Sequence, residues 1–219
     1  MSSSPLLPQS FWFRTGLSCP HVEALPRAKG RLLDLPDECL LPDFSRLEGL
    51  ESWAEVRLAW NPKGLALAFE VRGKVSPITH DPTRPFASDG VQFWVDTRDT
   101  REVHRATRFC SRYLATLIPG SKQLQVELTR KPIARAAADP PPSDLSLART
   151  QVDQIRGGWR VEIFLPAETI YGFDPETNRR LGFAYQVTDP DRGDQYLGVG
   201  REFPVGEDPS LWATLELRD

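Results

Sequence analysis

A chain of 219 residues with 40% hydrophobic and 26% charged residues and a formal net charge of −3 has the make-up of an ordinary folded domain and argues against disorder or a fibrous repeat. Arginines interspersed with acids argue against a nucleic-acid stripe, and no apolar run approaches the about 20 residues of a membrane helix. The N-terminal MSSSPLLP carries neither a basic nor a continuous apolar region, and Cys19, Cys39 and Cys110 are too scattered for a disulfide framework, so the expectation is reduced thiols in a cytoplasmic protein.

Twenty prolines and fifteen glycines interrupt the chain too often for long helices, and the apolar residues recur mainly with a period of two. Residues 1–50 read as an irregular lead-in with edge strands over 11–14 and 30–33, packed on the domain formed by 51–219. Cys19-Pro20-His21 and Cys39 lie in this lead-in, but neither paired CxxC spacing nor a fourth metal ligand accompanies them. Strands are predicted over 55–60, 65–71, 91–96, 107–114, 123–129, 151–156, 159–165, 181–188 and 212–217. Asn61-Pro62-Lys63-Gly64 joins the first pair as a hairpin, and Gly157-Gly158 joins the sixth to the seventh.

Residues 133–145, with three consecutive prolines, favour extended polyproline geometry and read as a long surface loop. Residues 166–171 read as one helical turn opened by Pro166. Nine or more short strands joined by hairpins have two sets of apolar faces to bury. The expected fold is all-β, a two-sheet antiparallel β-sandwich of jelly-roll type. Trp60, Phe69, Phe93, Phe164, Phe183 and Tyr185 are the expected core anchors.

The stretch from Phe86 to Asp96 carries the most information. Val91, Phe93 and Val95 alternate with Gln92, Trp94 and Asp96, so the first set faces a core and the second faces outward. Gln186 leaves the core phase of Phe183, Tyr185 and Val187 in the same way, and Arg108 is out of phase with Phe109. Trp94 shares the phase of Gln92, as a further platform aromatic or as a ring covered by the first 50 residues.

Five blocks occur in order: WNPKGLALAFEV over 60–71, SDGVQFWVD over 88–96, WRVEIFLP over 159–166, LGFAYQVTD over 181–189 and LWATLEL over 211–217. Their order and spacing resemble the family 9 carbohydrate-binding modules and, more broadly, DOMON-like sandwiches, from about residue 55 to the C-terminus. The resemblance implies a sugar held between two aromatic rings, with charged and amide side chains on its hydroxyls. Sugar rings have apolar C–H faces that stack on aromatics and rims that need donors and acceptors. By position it places the first aromatic on Phe86, the hydroxyl acceptor on Gln92, the guanidinium on Arg108, the amide on Gln186 and the second aromatic on Tyr196. The family pattern has tryptophan at the stacking positions and glutamate where this chain has Gln92, which lowers stacking area and charge-assisted bonding. The resemblance also makes the oxygen-rich turn with Asp189, Asp191 and Asp194 a candidate structural calcium site.

No G-x-S-x-G, H-E-x-x-H, P-loop or dinucleotide fingerprint occurs. His104 and Cys110 invite a base-and-nucleophile reading but stand about 20 Å apart on one extended strand. Glu70, Glu127 and Glu162 lie on strands with no spacing that selects a catalytic pair, and Met1 as the only methionine with dispersed histidines leaves haem ligation without a basis. The leading expectation is a non-catalytic module, not an enzyme, that takes a saccharide or sugar-like ligand on a concave sheet face. The alternative is a stand-alone intracellular sandwich that serves as a protein-interaction or scaffold domain without a sugar ligand.

Overall fold

The computed structural model describes residues 16–219; the strand expected over 11–14 lies outside them. The strands are β1 Gly16–Pro20, β2 Ala54–Asn61, β3 Gly64–Arg72, β4 Gly90–Asp96, β5 Cys110–Ile118, β6 Gln125–Lys131, β7 Arg149–Ile155, β8 Gly158–Pro166, β9 Arg180–Asp189, β10 Gly193–Tyr196 and β11 Ala213–Arg218. They form a seven-stranded sheet in the order β1-β11-β9-β4-β5-β6, with β10 also on β9, and a four-stranded sheet in the order β2-β3-β8-β7. All pairs are antiparallel except β1 with β11. No helix among the described residues is long and apolar enough to cross a membrane.

Both expected hairpins form. Asn61 pairs with Gly64 across Pro62-Lys63, and the Asn61 side-chain oxygen accepts the Lys63 N–H at 2.9 Å, the local bond that suits asparagine to turns. Ile155 pairs with Gly158 across Arg156-Gly157, where Gly157 takes φ +67°, a conformation glycine adopts without steric cost. Residues 166–171 contain a single 3₁₀ turn, Ala167–Thr169, with Pro166 capping it from outside.

The sheets face each other through one apolar layer. Phe69 of β3 lies 6.1 Å from Phe93 of β4 and 6.1 Å from Tyr185 of β9, and Phe93 stacks on Tyr113 of β5 at 5.0 Å. Offset and edge-on contacts at these separations are the favoured aromatic geometries. Trp60 and Phe183 lie in the same layer, whereas Phe164 is buried on the opposite side of β8.

That opposite side explains the lead-in. The outer face of the four-stranded sheet presents Ala59, Ala66, Ala68 and Phe164, on which Leu25, Leu32, Leu33 and Cys39 pack. Residues 30–33 do not form the expected edge strand. Their backbone donors go to side chains instead: Leu32 to Gln151 at 2.9 Å, Leu33 and Asp34 to the two oxygens of Glu162 at 3.0 and 3.2 Å. Asn61 donates to the Val22, Glu23 and Leu25 carbonyls at 3.2, 3.3 and 3.0 Å. The parallel strand β1, within the lead-in expected to be irregular, ties the start of that segment to β11.

A buried ionic knot fastens one end of the seven-stranded sheet. The Lys74 ammonium, whose side chain is 3% exposed, stands 3.0 Å from Asp89 ahead of β4, 3.2 Å from Asp189 at the end of β9 and 3.8 Å from Asp191. Burial by itself would lower the Lys74 pKa; the contact with Asp89 and the charges of Asp89 and Asp189 outweigh it, so the ammonium titrates above its ordinary value. Burial also pushes Asp89 up, against the Thr79 N–H that donates to it at 2.7 Å.

Two expectations follow. Glu162→Met, which removes the acceptor of two lead-in amides, costs about 2–4 kcal/mol of unfolding free energy and speeds hydrogen exchange at Leu33 and Asp34 ahead of the core; an unchanged urea midpoint contradicts this role. Lys74→Met leaves two buried carboxylates without their cation and costs about 3–5 kcal/mol at neutral pH. That deficit shrinks as pH falls, because the stranded carboxylates take up protons. In the parent chain the raised Lys74 pKa gives the opposite edge: its contribution is whole below the ordinary lysine value of about 10.4 and is lost as pH rises through the higher folded value. Urea unfolding of both chains at several pH values checks each sign.

Candidate functional site

Antiparallel register lines up one outward row across five strands of the large sheet. Tyr196 of β10 pairs with Gln186 of β9, Gln186 with Gln92 of β4, Gln92 with Leu114 of β5, and Leu114 with Thr129 of β6. The adjacent row runs from Ala184 through Trp94 and Arg112 to Lys131. Cross-strand partners on one face stand close enough to interact, and across these rows Arg112, Gln92, Gln186, Thr188 and Asp194 form a continuous hydrogen-bonded chain.

Its direction is uniform. Arg112 Nε donates to Gln92 Oε1 at 3.1 Å and a second guanidinium N–H reaches the same oxygen. Gln92 Nε2 donates to Gln186 Oε1 at 3.1 Å, and Gln186 Nε2 to Thr188 Oγ1 at 3.2 Å. The Thr188 hydroxyl donates to Asp194 Oδ1 at 2.8 Å, while the Tyr196 hydroxyl donates to Asp194 Oδ2 at 3.2 Å. Every donor from Arg112 to Thr188 points toward Asp194, so a cation stands at one end and an anion at the other. Chains of this kind polarise one another. Burial, and then the charge of Asp194, raise the Tyr196 pKa above the ordinary phenol value.

Arg112 is the focus of the site. Its guanidinium carbon lies 4.6 Å from the Phe86 ring centre and 5.4 Å from that of Trp94, within cation–π range of both. It forms no ion pair among the described residues, and burial lowers its pKa from the ordinary guanidinium value. Phe86, 44% exposed, offers its remaining surface to solvent. Gln92, by contrast, is 4% exposed and has its amide engaged on both sides.

Two cavities flank the ends of the chain. One of 170 Å³ lies beside Arg112 and Lys131, over Cys110, Ile133 and Ala136. The other, of 690 Å³, borders Asp194 and Tyr196 and includes Phe44, Trp53 and Arg192.

The structure brings Phe86, Gln92 and Gln186 to this one face and sets Tyr196 at its edge, but it does not bring Arg108 there. Arg108 is exposed, 5.2 Å from the Phe109 ring centre and 5.9 Å from that of Tyr171. The strand expected over 107–114 begins only at Cys110. A turn built on Thr107 precedes it, with the Thr107 hydroxyl accepting the Phe109 N–H at 3.3 Å and the Thr107 carbonyl accepting the Cys110 N–H at 2.9 Å. The guanidinium on the face is Arg112, four residues or about 13 Å of extended chain farther on. The shift kept the phase and missed the position. The pairing of Asp96 with Cys110 is the signal that fixes Trp94 beside Arg112, and it requires knowing where the turn ends. Trp94 is covered by Val199, Val205 and Trp212, with Ala106 and Ile133, and none of the described residues 16–50 belongs to this cluster.

Asp189 and Asp191 meet at the Lys74 ammonium, and Asp194 does not join them. Asp189 lies on the inward phase of β9 against Lys74, Asp191 accepts from Ser76, and Asp194 reaches Thr188 on the outward face. Strand alternation therefore points Asp189 and Asp194 to opposite sides of the sheet. An ammonium already stands where a shared ion would have to sit, and no group of three His, Cys, Asp or Glu among the described residues has metal-binding geometry. The Cys110 thiol is pushed up to about 12 by burial and the nearby Asp96, far from the thiolate a nucleophile needs. His104 Nδ1 meets both Asp208 at 3.0 Å and Ser210 at 3.1 Å.

No protein-family model matches the chain, and no curated protein matches it. Among solved structures, it is similar to a family 9 carbohydrate-binding module from Caldicellulosiruptor kristjanssonii in complex with cellotriose, with a TM-score of 0.64 at 15% identity over 93% of this chain and 94% of that one. A glucose complex of a family 9 module from the same organism gives a TM-score of 0.64 at 14% identity, over 93% and 96% of the two chains. With its two facing sheets, all-β content and near full-length superposition, this chain has the fold of the family 9 carbohydrate-binding modules.

Proposed function

We propose that this protein is a non-catalytic saccharide-binding module whose ligand lies on the outward face of the seven-stranded sheet. The observation that carries the reading is the directed polar chain from Arg112 to Asp194 with an exposed ring, Phe86, against its cationic end. The solved modules of the same fold hold cellotriose and glucose, and we carry that ligand class to this chain. Phe86 supplies an apolar surface for a sugar's C–H face, Arg112 supplies donors for hydroxyl oxygens, and Tyr196 closes the far edge. Gln92 and Gln186 act mainly by holding Arg112 and Thr188 in place, since their amides are engaged with neighbours. The hydrogen-bonded row contains one carboxylate, Asp194, and Asp96 on the same face is taken up by the Arg98 and Thr100 N–H groups at 2.9 and 2.7 Å, which favours a binding role over bond cleavage by a carboxylate pair.

One observation favours the second reading, a protein-interaction surface without a sugar ligand. Gln92 and Leu114 at the centre of the row are 4% and 3% exposed, so the accessible groups lie at the ends, as on a face that a larger partner spans.

Titration of mono- and disaccharides by calorimetry, with intrinsic tryptophan fluorescence as a second readout, separates the two. Trp94 lies against Arg112 and reports on that end. Binding at millimolar sugar or tighter is expected, and Arg112→Ala weakens it by at least about tenfold, the loss of charge-assisted hydrogen bonds. No heat and no fluorescence change at millimolar sugar overturns the saccharide reading and leaves the interaction surface.

A further inference from the structure

The cationic end of the face is unusual in how its charge is held. Arg112 is oriented by two N–H bonds to Gln92 Oε1 and by the rings of Phe86 and Trp94. All three fix its position and none neutralises it. Burial presses on the charge, as the lowered pKa shows, yet among the described residues no carboxylate pairs with Arg112. Lys131 stands directly opposite in the β5–β6 register, on the same face, and likewise has no ion pair among the described residues. Both cations line the 170 Å³ cavity together with Arg130, which also donates to Ser143 at 3.2 Å, and Ile133 and Ala136 form part of its apolar wall. Its one acid, Asp139, is exposed on the loop, where water screens it.

A partly desolvated guanidinium and a neighbouring ammonium over an apolar wall form a receptor for an anion, and a planar fork of donors matches a carboxylate best. We infer that the saccharide this module selects carries a carboxylate, as a uronic acid does, and that Arg112 and Lys131 receive it. The inference rests on the saccharide reading above and names its ligand class. Gln92 is then the residue that sets specificity: it orients Arg112 without spending the charge. A glutamate there would pair with the guanidinium, at the loss of the N–H that Gln92 gives to Gln186.

The test compares D-glucose with D-glucuronate, which differ only at C6, by calorimetry at low and high salt. The parent chain is expected to bind glucuronate at least about tenfold more tightly, with the preference shrinking as salt rises. Gln92→Glu is expected to abolish the preference, because the new carboxylate pairs with Arg112. Lys131→Ala, on an edge strand with its side chain half-buried, is expected to weaken glucuronate several-fold and leave glucose unchanged, and it serves as well if Gln92→Glu fails to fold. Equal or tighter binding of glucose by the parent overturns the inference and leaves the saccharide reading standing, as does a Gln92→Glu chain that folds and keeps the preference. Absence of binding by both sugars overturns the two together.

Discussion

The antiparallel register of β4 between β9 and β5 governs both the core and the candidate site. On the inner face it sets Phe93 between Tyr185 and Tyr113; on the outer face it sets Gln92 between Gln186 and Leu114. A slip by one residue would exchange the two sets and drive the amides into the apolar layer. Gly90 helps to pin the register, because a Cβ there would lie 2.3 Å from the Ala115 carbonyl oxygen. The aromatic contacts of Phe93 and the amide chain of Gln92 thus stabilise one arrangement from opposite sides. A change made for stability on the inner face therefore bears on the geometry of the polar row.

The same alternation sorts the acids of the sheet by role. Asp189, in phase with Val187, is fully buried and serves the Lys74 knot; Asp194, paired across to Thr188, is the acceptor at the end of the outward chain. Two aspartates five residues apart in one oxygen-rich turn consequently do unrelated work. Gln195, between Asp194 and Tyr196, points inward and binds the Trp53 and Ala54 N–H groups at 2.9 and 3.0 Å and donates to the Ala54 carbonyl at 2.8 Å. The short strand β10 is thereby clamped to the other sheet on its inner side while it presents Tyr196 and Asp194 on its outer side.

What the sequence made legible follows the range of the physical signals. Alternation over seven to ten residues identifies β3, β4, β8 and β9, because burial on one face repeats within each segment. The phases of Gln92 and Gln186 come from that signal alone. Arg112 was missed because a strand start depends on a side-chain turn at Thr107, and Arg108 has the same parity. Strand β10, of four residues, is too short to show a period. Lys74 lies in a connection without periodicity, and its partners Asp89 and Asp189 are remote in sequence, so nothing local marks the pairing. The backbone of 30–33 is held by Gln151 and Glu162, contacts that a propensity for strand cannot distinguish from a strand ladder.

An amide, and not an acid, beside Arg112 at position 92 has a definite energetic meaning in this setting. A partly buried guanidinium needs compensation for lost hydration, and an ion pair with a carboxylate is the usual source. Here two hydrogen bonds to a neutral oxygen and two ring faces supply it. Bonds to a charged group contribute about 1.5–3 kcal/mol each, and a desolvated cation–π contact about 2 kcal/mol. Those magnitudes suffice to hold the side chain in one place while no carboxylate among the described residues pairs with its charge. Under the proposed saccharide reading the aromatic at position 86 has two demands on it that are in tension. The more of its ring surface Arg112 covers, the better the cation is held and the less remains for a sugar to stack on, so that reading weights charge over stacking.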